Sequence, residues 1–302
     1  MRKPTETRRS FEHLAQRVFN VPLMIEPTKA EVIAAALQQR LGILKLDRLD
    51  STSLDAVGMQ ALAGDARRSY ENWKPFHADG QIAVIPVEGT LVHKFGWLDP
   101  MSGMTGYDGI ARKLRAALAD NDIRAIWLDI DSPGGEVPGC FALAHEIALA
   151  TQTEGGDKPI WAYVNEQACS AAYALACVCD RVYGPADAMV GSIGAYVMHV
   201  DFTKMLDKEG IAVRIIRAGA RKAKTGPYEK LDDPALTKLQ DWVDDTRDRF
   251  ADLVAMGRGL SVDYVLDTEA DWFTGPDAVD LGLMDGLMGE QDAWNLLLED
   301  IR

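Results

Sequence analysis

Three short stretches of the sequence carry the residue types that acyl-transfer chemistry needs. The first is the S-P-G-G motif of residues 132–135, whose paired glycines permit positive φ angles and leave backbone N–H groups unobstructed. The second places Ser170 at the start of a predicted helix of small residues, and the third puts Lys222 and Lys224 in a glycine-containing loop. A serine hydroxyl is a weak nucleophile until a base removes its proton, and exposed N–H groups can hold a developing oxyanion. Nucleophile, base and oxyanion donors are therefore all represented.

Taken singly, each stretch also has a purely structural explanation. Gly134-Gly135 fits an ordinary tight turn, and Ser170 fits a helix N-cap, a position that serine favours. Lysines in a loop are usually solvated surface charges. No single stretch identifies the chemistry; only their combination does.

The elements that must position these stretches alternate between strand and helix. Short apolar runs predict strands at residues 82–87, 125–130, 159–164, 181–183, 195–200 and 213–216. Helical spacing predicts helices at residues 107–120, 138–151, 170–177 and 234–256, with a further helix between the last two strands. Such alternation with short links implies an α/β fold of parallel strands and crossover helices. Each of the three stretches follows a strand, where α/β folds place their sites.

The first 78 residues differ in pattern from the rest. Helices are predicted over residues 29–41 and 53–63, and a linker over residues 72–80. We therefore expect a mainly helical N-terminal extension and linker over residues 1–78, followed by one catalytic domain over residues 79–302.

Composition excludes several classes of protein. With 32 basic and 46 acidic residues the formal charge is −14, which argues against nucleic-acid binding. No apolar region follows the basic N-terminus and no run is long enough to cross a bilayer, so we expect a soluble protein without membrane association. The few cysteines favour a reducing compartment, and a zinc site on Cys177 and Cys179 lacks nearby partner ligands. We expect neither metal nor cofactor.

Two more motifs complete an ordered set: G-S-I-G at residues 191–194 and G-x-x-K-x-x-x-x-P-Y at residues 219–228. In this order the motifs resemble those of the S49 peptidase family, the signal-peptide-peptidase A type. That resemblance implies a ClpP/crotonase-like fold of repeated ββα units and a Ser–Lys dyad, and the interval 222 − 170 = 52 suits it. It implies these roles: Ser170 as nucleophile, Lys222 as general base, and Gly134, Gly135 and Ala171 as the oxyanion hole.

Three further segments resemble the head-maturation proteases of lambda-like tailed phages. They are FNVPLMIE at residues 19–26, SGMTGYDG at 102–109 and GLSVDYVLDTE at 259–269. The resemblance implies cleavage of phage capsid, scaffold and portal proteins in the assembling prohead, in the host cytoplasm. It also implies a homo-oligomer, with a ring and shared active sites as one form. In several members a scaffold region follows the protease, so with this sequence ending at Arg302 we expect a separate scaffold product or a truncated or processed form.

A lysine can act as the base only if desolvation lowers its pKa far below the usual value of about 10.4. Lys224 competes for this role, although the glycine spacing favours Lys222. Ser192 either orients the lysine by accepting a hydrogen bond or is an ordinary turn serine. Cys169 is a rival nucleophile, which on a helix would point about 100° away from Ser170. A Ser-His-Asp triad stays open as well, although no histidine lies in these motifs: His13, His77, His93, His145, His199.

Two other functions stay open. A crotonase-type acyl-CoA enzyme shares the fold and the glycine-rich turn, but usually relies on carboxylates as acid and base. A portal-associated assembly factor that has kept protease motifs would need no catalysis. If the chain is a protease, small residues around Ser170 indicate a narrow S1 pocket that favours Ala, Gly or Ser.

Overall fold

The computed structural model describes residues 75–94 and 103–302, together with the backbone of the segments 23–25, 46–47 and 53–54. The predicted helix at residues 29–41 and most of that at 53–63 lie outside the described residues. Strand β1 is Leu23–Ile25, and β2 (Leu46–Asp47) pairs antiparallel with β3 (Ser53–Leu54). Residues 53 and 54 are therefore strand and not the first residues of a helix.

A large mixed sheet forms the centre of the fold. Its strands are β4 (His77–Asp79), β5 (Ile82–Glu88), β8 (Ala125–Ser132), β10 (Ile160–Cys169), β11 (Arg181–Gly184), β12 (Met189–Gly191), β13 (Trp272–Thr274) and β14 (Gly286–Leu287). The strands β5, β8 and β10 are adjacent and parallel, and β10 pairs in parallel with β11 along its first half and with β12 along its last residues. The edge strands β4 and β13 are antiparallel to their neighbours.

A smaller sheet lies beside the large one, with the order β1-β9-β6-β7. Its other strands are β6 (Thr90–Val92), β7 (Met104–Gly106) and β9 (Gly134–Glu136). The chain twice runs from a strand of the large sheet into the small sheet and then into a helix. This repetition is the ββα unit, so the predicted α/β fold of ClpP/crotonase type is confirmed.

Helices cover both faces of the large sheet in the described part of the chain. They are α1 (Tyr107–Ala119), α2 (Cys140–Ala150), α3 (Ala171–Ala176), α4 (Thr203–Lys208), α5 (Asp233–Arg258), α6 (Val262–Leu266), α7 (Gly275–Asp280) and α8 (Glu290–Asp300). On one face Ile85 and Leu128 pack with α1, α2 and α3; on the other Trp127 stacks on Tyr163 at 5.2 Å, beneath Trp294 of α8. Burial on both faces explains why the parallel strands read as continuous apolar runs.

Two predicted strands are wrong. Residues 195–200 and 213–216 form no strand, although both are rich in β-branched residues. A strand needs a neighbour to satisfy its backbone groups, and within residues 195–200 and 213–216 the described structure forms only an isolated bridge, at Tyr196. From 194 to 234 no residue is buried, and Ile216 is 92% exposed.

The predicted linker at residues 72–80 is also not a linker throughout, because β4 lies within it and pairs with β5. The backbone of β1 likewise joins the small sheet by pairing with β9. Residues before 79 therefore contribute strands to both sheets. The division of the chain at residue 78 stays a prediction.

Arg258 ties the end of α5 to the segment around β11 and β14 of the large sheet. Its side chain is 8% exposed; Nη1 lies 2.9 Å from Asp285 Oδ2, and Nε donates to the Gly282 carbonyl at 3.0 Å. Asp285 Oδ2 also accepts the Val182 amide at 2.7 Å. Because removing one partner leaves a shielded charge without its counterion, Arg258→Met should lower the free energy of unfolding by about 3 kcal/mol.

Urea unfolding followed by circular dichroism measures this effect. The matched control is Arg115→Met, which removes the solvent-exposed ion pair with Glu146. That loss should cost less than about 1 kcal/mol. Equal losses in both variants would contradict the structural role assigned to Arg258.

Candidate active site

Ser170 occupies a strained turn between β10 and α3. Its backbone has φ +54° and ψ −123°, and its side chain makes no capping hydrogen bond to the helix. The amide of Ser170 donates to the Gly191 carbonyl at 2.8 Å. For a residue with a Cβ such a conformation costs on the order of 1–3 kcal/mol, and these residues cluster at functional sites. Ser170 thus occupies the N-cap position of α3, but its side chain does not cap the helix. A strained turn between strand and helix is the kind that can present a nucleophile.

The S-P-G-G motif forms the turn from β8 into β9. Ser132 Oγ donates to the Gly89 carbonyl at 2.6 Å and accepts the amide of Gly134 at 3.1 Å. In the parallel pairing of β8 with β10, Ser132 stands opposite Ala168, two residues before Ser170. Helix α3 also packs against β9. The structure thus brings the glycine turn and Ser170 together at one edge of the sheet.

Of the three amides predicted as oxyanion donors, that of Gly134 is already engaged by Ser132 Oγ. Gly134 has φ +97°, which only glycine adopts readily. Gly135 is required for a different reason, because a Cβ there would lie 1.8 Å from the Leu91 carbonyl oxygen of β6. Gly135 and Ala171 stay candidates, whereas Gly134 is not available as a donor in this arrangement.

Ser192 lies directly beside the turn that holds Ser170. It follows Gly191, whose carbonyl accepts the Ser170 amide, and has φ +53°. Its own amide donates to the Asp271 carbonyl at 2.7 Å. Sequence reasoning missed the part played by residues 271–274, although the aromatic and β-branched sequence W-F-T is typical of a strand. The hydrogen-bonding role of the Ser192 side chain stays a prediction.

In the described single chain Ser170 is buried, whereas Lys222 lies on the surface. It is exposed, and its amide donates to the Gly219 carbonyl at 3.1 Å within its own loop. The loop is closed on itself by the side chains of Arg217 and Glu229, 2.6 Å apart. A lysine that serves as a base must be shielded from water, and the fold of one chain does not shield this one.

Lys224, the other candidate base, lies close to two carboxylates. Lys224 Nζ lies 3.0 Å from Asp232 Oδ2 and 3.8 Å from Glu229 Oε1. The hydrogen bond from Lys224 is the main reason that the pKa of the Asp232 carboxyl falls below its usual value. Lys224 is thus engaged in ion pairs with two carboxylates, and the choice between Lys222 and Lys224 as the base stays a prediction.

The four cysteines are all buried free thiols. Burial raises the pKa of Cys140 to about 12, and raises those of Cys177 and Cys179 as well. Cys169 ends strand β10 and does not lie on the helix, so the predicted helical angle between it and Ser170 is wrong. The Cys169 thiol lies 4.0 Å from the Met189 carbonyl oxygen.

None of the five histidines belongs to the segments that carry the S-P-G-G turn, Ser170 or Lys222. His77, on β4, and His145, on α2, are exposed, as is His93 beyond β6. His13 is outside the described residues. Within residues 75–94 and 103–302 no three His, Cys, Asp or Glu side chains are arranged to hold a metal ion. The described helices also include none long and apolar enough to cross a membrane.

Three carboxylates gather at the carboxyl ends of β5 and β8. Glu88 stands opposite Asp131, and Asp129 accepts a hydrogen bond from Asn165 Nδ2 at 3.0 Å. Burial raises the pKa of Asp129, and the neighbouring charge of Asp131 adds to the rise. Burial, followed by the charges of Asp129 and Asp131, raises the pKa of Glu88.

Asp129→Asn should therefore stabilise the protein at pH 7, by about 1 kcal/mol or less. The folded chain binds a proton at Asp129 more tightly than the unfolded chain does. The wild type thus loses stability as pH rises from the unfolded pKa through the raised folded pKa. Urea unfolding at pH 4, 5.5 and 7 should show the variant's advantage shrinking as pH falls. Asp122→Asn, in an exposed turn, is the control, and an equal gain there would contradict the explanation.

Comparison with known proteins adds to this geometry. Residues 153–301 match the model of Peptidase family S49, a range that includes Ser170, Ser192 and Lys222. The chain is 40% identical over 294 residues to "Capsid assembly protease C" of Escherichia phage lambda, covering 94% of this chain and 65% of that protein. It is 39% identical over 296 residues to "Head-tail preconnector protein GP5" of Enterobacteria phage P21, covering 96% and 58% respectively.

The chain thus spans about three fifths of the length of these two relatives. Among solved structures it is similar to the ClpP1 N165D mutant from Listeria monocytogenes. The TM-score is 0.43 at 12% identity, over 69% of this chain and 92% of that one. That overlap adds no argument to the topology described above.

Proposed function

The chain belongs to peptidase family S49, and from that premise we propose that it is a serine endopeptidase in which Ser170 is the nucleophile and Lys222 the general base. The observation that carries the proposal is the conformation of Ser170. A serine with φ +54° and no capping bond, beside a glycine turn, has no structural task that explains its strain.

In the proposed mechanism Ser170 Oγ attacks the carbonyl carbon of the scissile bond while neutral Lys222 accepts its proton. The amides of Gly135 and Ala171 hold the oxyanion of the tetrahedral intermediate. The ammonium of Lys222 then protonates the leaving amine, and the acyl-enzyme remains on Ser170. In the second half of the reaction Lys222 accepts a proton from water as the water attacks the acyl carbon. The lysine ammonium then returns this proton to Ser170 Oγ, which leaves as the acid product is released.

The exposed position of Lys222 supports a second proposal, that the working enzyme is a homo-oligomer. The region from 194 to 234 has no buried residue, yet it contains the exposed side chains of Ile211, Val213 and Ile216. Contact with a second copy would bury these side chains and would also desolvate Lys222, which lies six residues after Ile216. A ring of copies in which each chain completes its neighbour's site would both bury the apolar side chains and shield the lysine from water.

The relatives suggest the substrates. One carries the name capsid assembly protease and the other head-tail preconnector, and both come from phages. We propose that this chain cleaves phage capsid, scaffold or portal proteins during prohead maturation, within the prohead assembling in the host cytoplasm. The small residues of α3 fit a narrow S1 pocket for Ala, Gly or Ser.

Co-expression tests the proposal directly. The wild-type chain and its Lys222→Ala variant are each produced with the phage's capsid, scaffold and portal proteins, and mass spectrometry identifies the products. Defined cleavages should occur with the wild type and be absent with the variant. Identical products in both cultures would contradict the assigned mechanism, and no cleavage in either would contradict the substrates.

A further inference from the structure

Strand β9 has the properties of a peptide-binding strand. It begins two residues after Ser132, which aligns with Ala168 next to the nucleophile turn, and its first two residues are glycines. Extended peptides bind proteins by adding a strand to a free sheet edge, where backbone hydrogen bonds supply the affinity. An edge that starts beside Ser170 would bring a peptide bond to the nucleophile.

In this chain, however, both edges of β9 are occupied. On one side Gly135 pairs with Leu91 of the parallel strand β6. On the other side β1 pairs antiparallel, with Leu23 opposite Glu136, Met24 opposite Gly135 and Ile25 opposite Gly134. The edge that a substrate would need is therefore covered by the chain's own N-terminal segment.

The direction of β1 matches that of a substrate. Because β1 is antiparallel to β9, it runs from Glu136 toward Gly134, the end of β9 that lies nearest Ser170. A substrate's acyl side must approach in this sense to deliver its carbonyl group to the serine. Ser170 itself is only 1% exposed, so a peptide chain cannot reach it until something moves.

We propose that residues 23–25 act as an internal competitor on strand β9, holding the peptidase closed until a substrate displaces them. This inference rests on the proposed peptidase function. A three-residue strand suits the task, since a few backbone hydrogen bonds of about 1 kcal/mol each can be exchanged for those of a substrate. The closed form lowers apparent affinity in proportion to the fraction of open chains.

Two adjacent proline variants test the proposal. Alternate residues of an antiparallel strand direct their N–H groups toward the partner, so either Met24→Pro or Ile25→Pro removes a ladder hydrogen bond. The other variant is the matched control. It carries the same substitution at a residue whose N–H points away from β9, so no ladder hydrogen bond is lost. Thermal unfolding of both full-length variants establishes that they are folded.

The first measurement needs no catalysis. A fluorescently labelled peptide with the sequence of residues 20–27 is titrated against the Ser170→Ala chain with and without each proline. We expect about fivefold to tenfold tighter binding to one proline variant than to the parent or to the other. Unchanged affinity in both proline variants would overturn the proposal.

The second measurement is kcat/KM on a fluorogenic peptide with Ser170 intact. It should rise by a similar factor in the same proline variant. Tighter peptide binding with an unchanged kcat/KM would overturn the inhibitory role, and so would self-cleavage of the wild-type chain within residues 23–27. If every variant binds the peptide as expected but none hydrolyses any substrate, the proposed peptidase function fails while the competition on β9 stands.

Discussion

Ser170→Ala should abolish peptide hydrolysis, lowering kcat by at least about 10³-fold. The variant removes only the hydroxyl, and the strained turn is held by backbone contacts such as that from the Ser170 amide to Gly191. The free energy of unfolding should therefore change by less than about 1 kcal/mol. Fluorogenic-peptide assays and urea unfolding of the purified chain measure the two quantities.

Ser192→Ala is the matched control for that experiment. Ser192 is a serine with nearly the same positive φ, one residue beyond the carbonyl that binds the Ser170 amide. Its loss should lower kcat by no more than about tenfold, since it only orients other groups. If Ser170→Ala kept its activity and a thiol reagent abolished it, Cys169 would be the nucleophile. If prohead processing continued unchanged in Ser170→Ala, the assembly-factor alternative would gain support.

Lys222→Ala should lower kcat by about 10²- to 10⁴-fold, the usual contribution of a general base. Lys224→Ala, two residues away in the same loop, is the control. It breaks the ion pairs with Asp232 and Glu229, which are partly exposed and worth about 1 kcal/mol or less. Its activity should change by less than about threefold. A methylamine supplement that partly restores the Lys222→Ala variant alone would show that a base has been lost.

Mixing inactive variants then tests how the lysine reaches the serine. A co-refolded mixture of Ser170→Ala and Lys222→Ala chains regains activity only if an intact Lys222 serves the Ser170 of another copy. Size-exclusion chromatography with light scattering reports the oligomeric state of the same samples. A monomeric, fully active enzyme would contradict the proposed coverage of the region from 194 to 234.

The sequence by itself determined the fold class and indicated Ser170 as the proposed nucleophile. Strands β5, β8 and β10 are buried on both faces, so they appear as continuous apolar runs that periodicity detects. Ser170 was recognisable because the motifs around it come in a fixed order, which local propensity cannot supply. Strand β9 was missed, because G-G-E has low strand propensity and is a strand only through its neighbours.

At each motif the sequence was compatible with both a structural and a functional role, and only the tertiary structure shows the backbone conformation and hydrogen bonds that bear on the choice. Sequence alone does not reveal that Ser170, at the N-cap position, has a strained backbone and no capping side-chain bond, with its amide bound to the distant Gly191. The amide of Gly134 is excluded as an oxyanion donor by the position of Ser132 Oγ. Residues 195–200 and 213–216 have strand composition, but a strand exists only where another strand satisfies its backbone.

For the proposed Ser–Lys pair, too, some properties follow from the sequence and others only from the tertiary structure. The types and spacing of Ser170 and Lys222 can be read directly from the chain, because they are properties of residue identity and order. Burial is a property of everything that surrounds a residue, and the structure buries Ser170 while leaving Lys222 exposed. The sequence therefore indicates which residues would carry the proposed chemistry, and the tertiary structure decides that in the single chain one of them is buried and the other exposed.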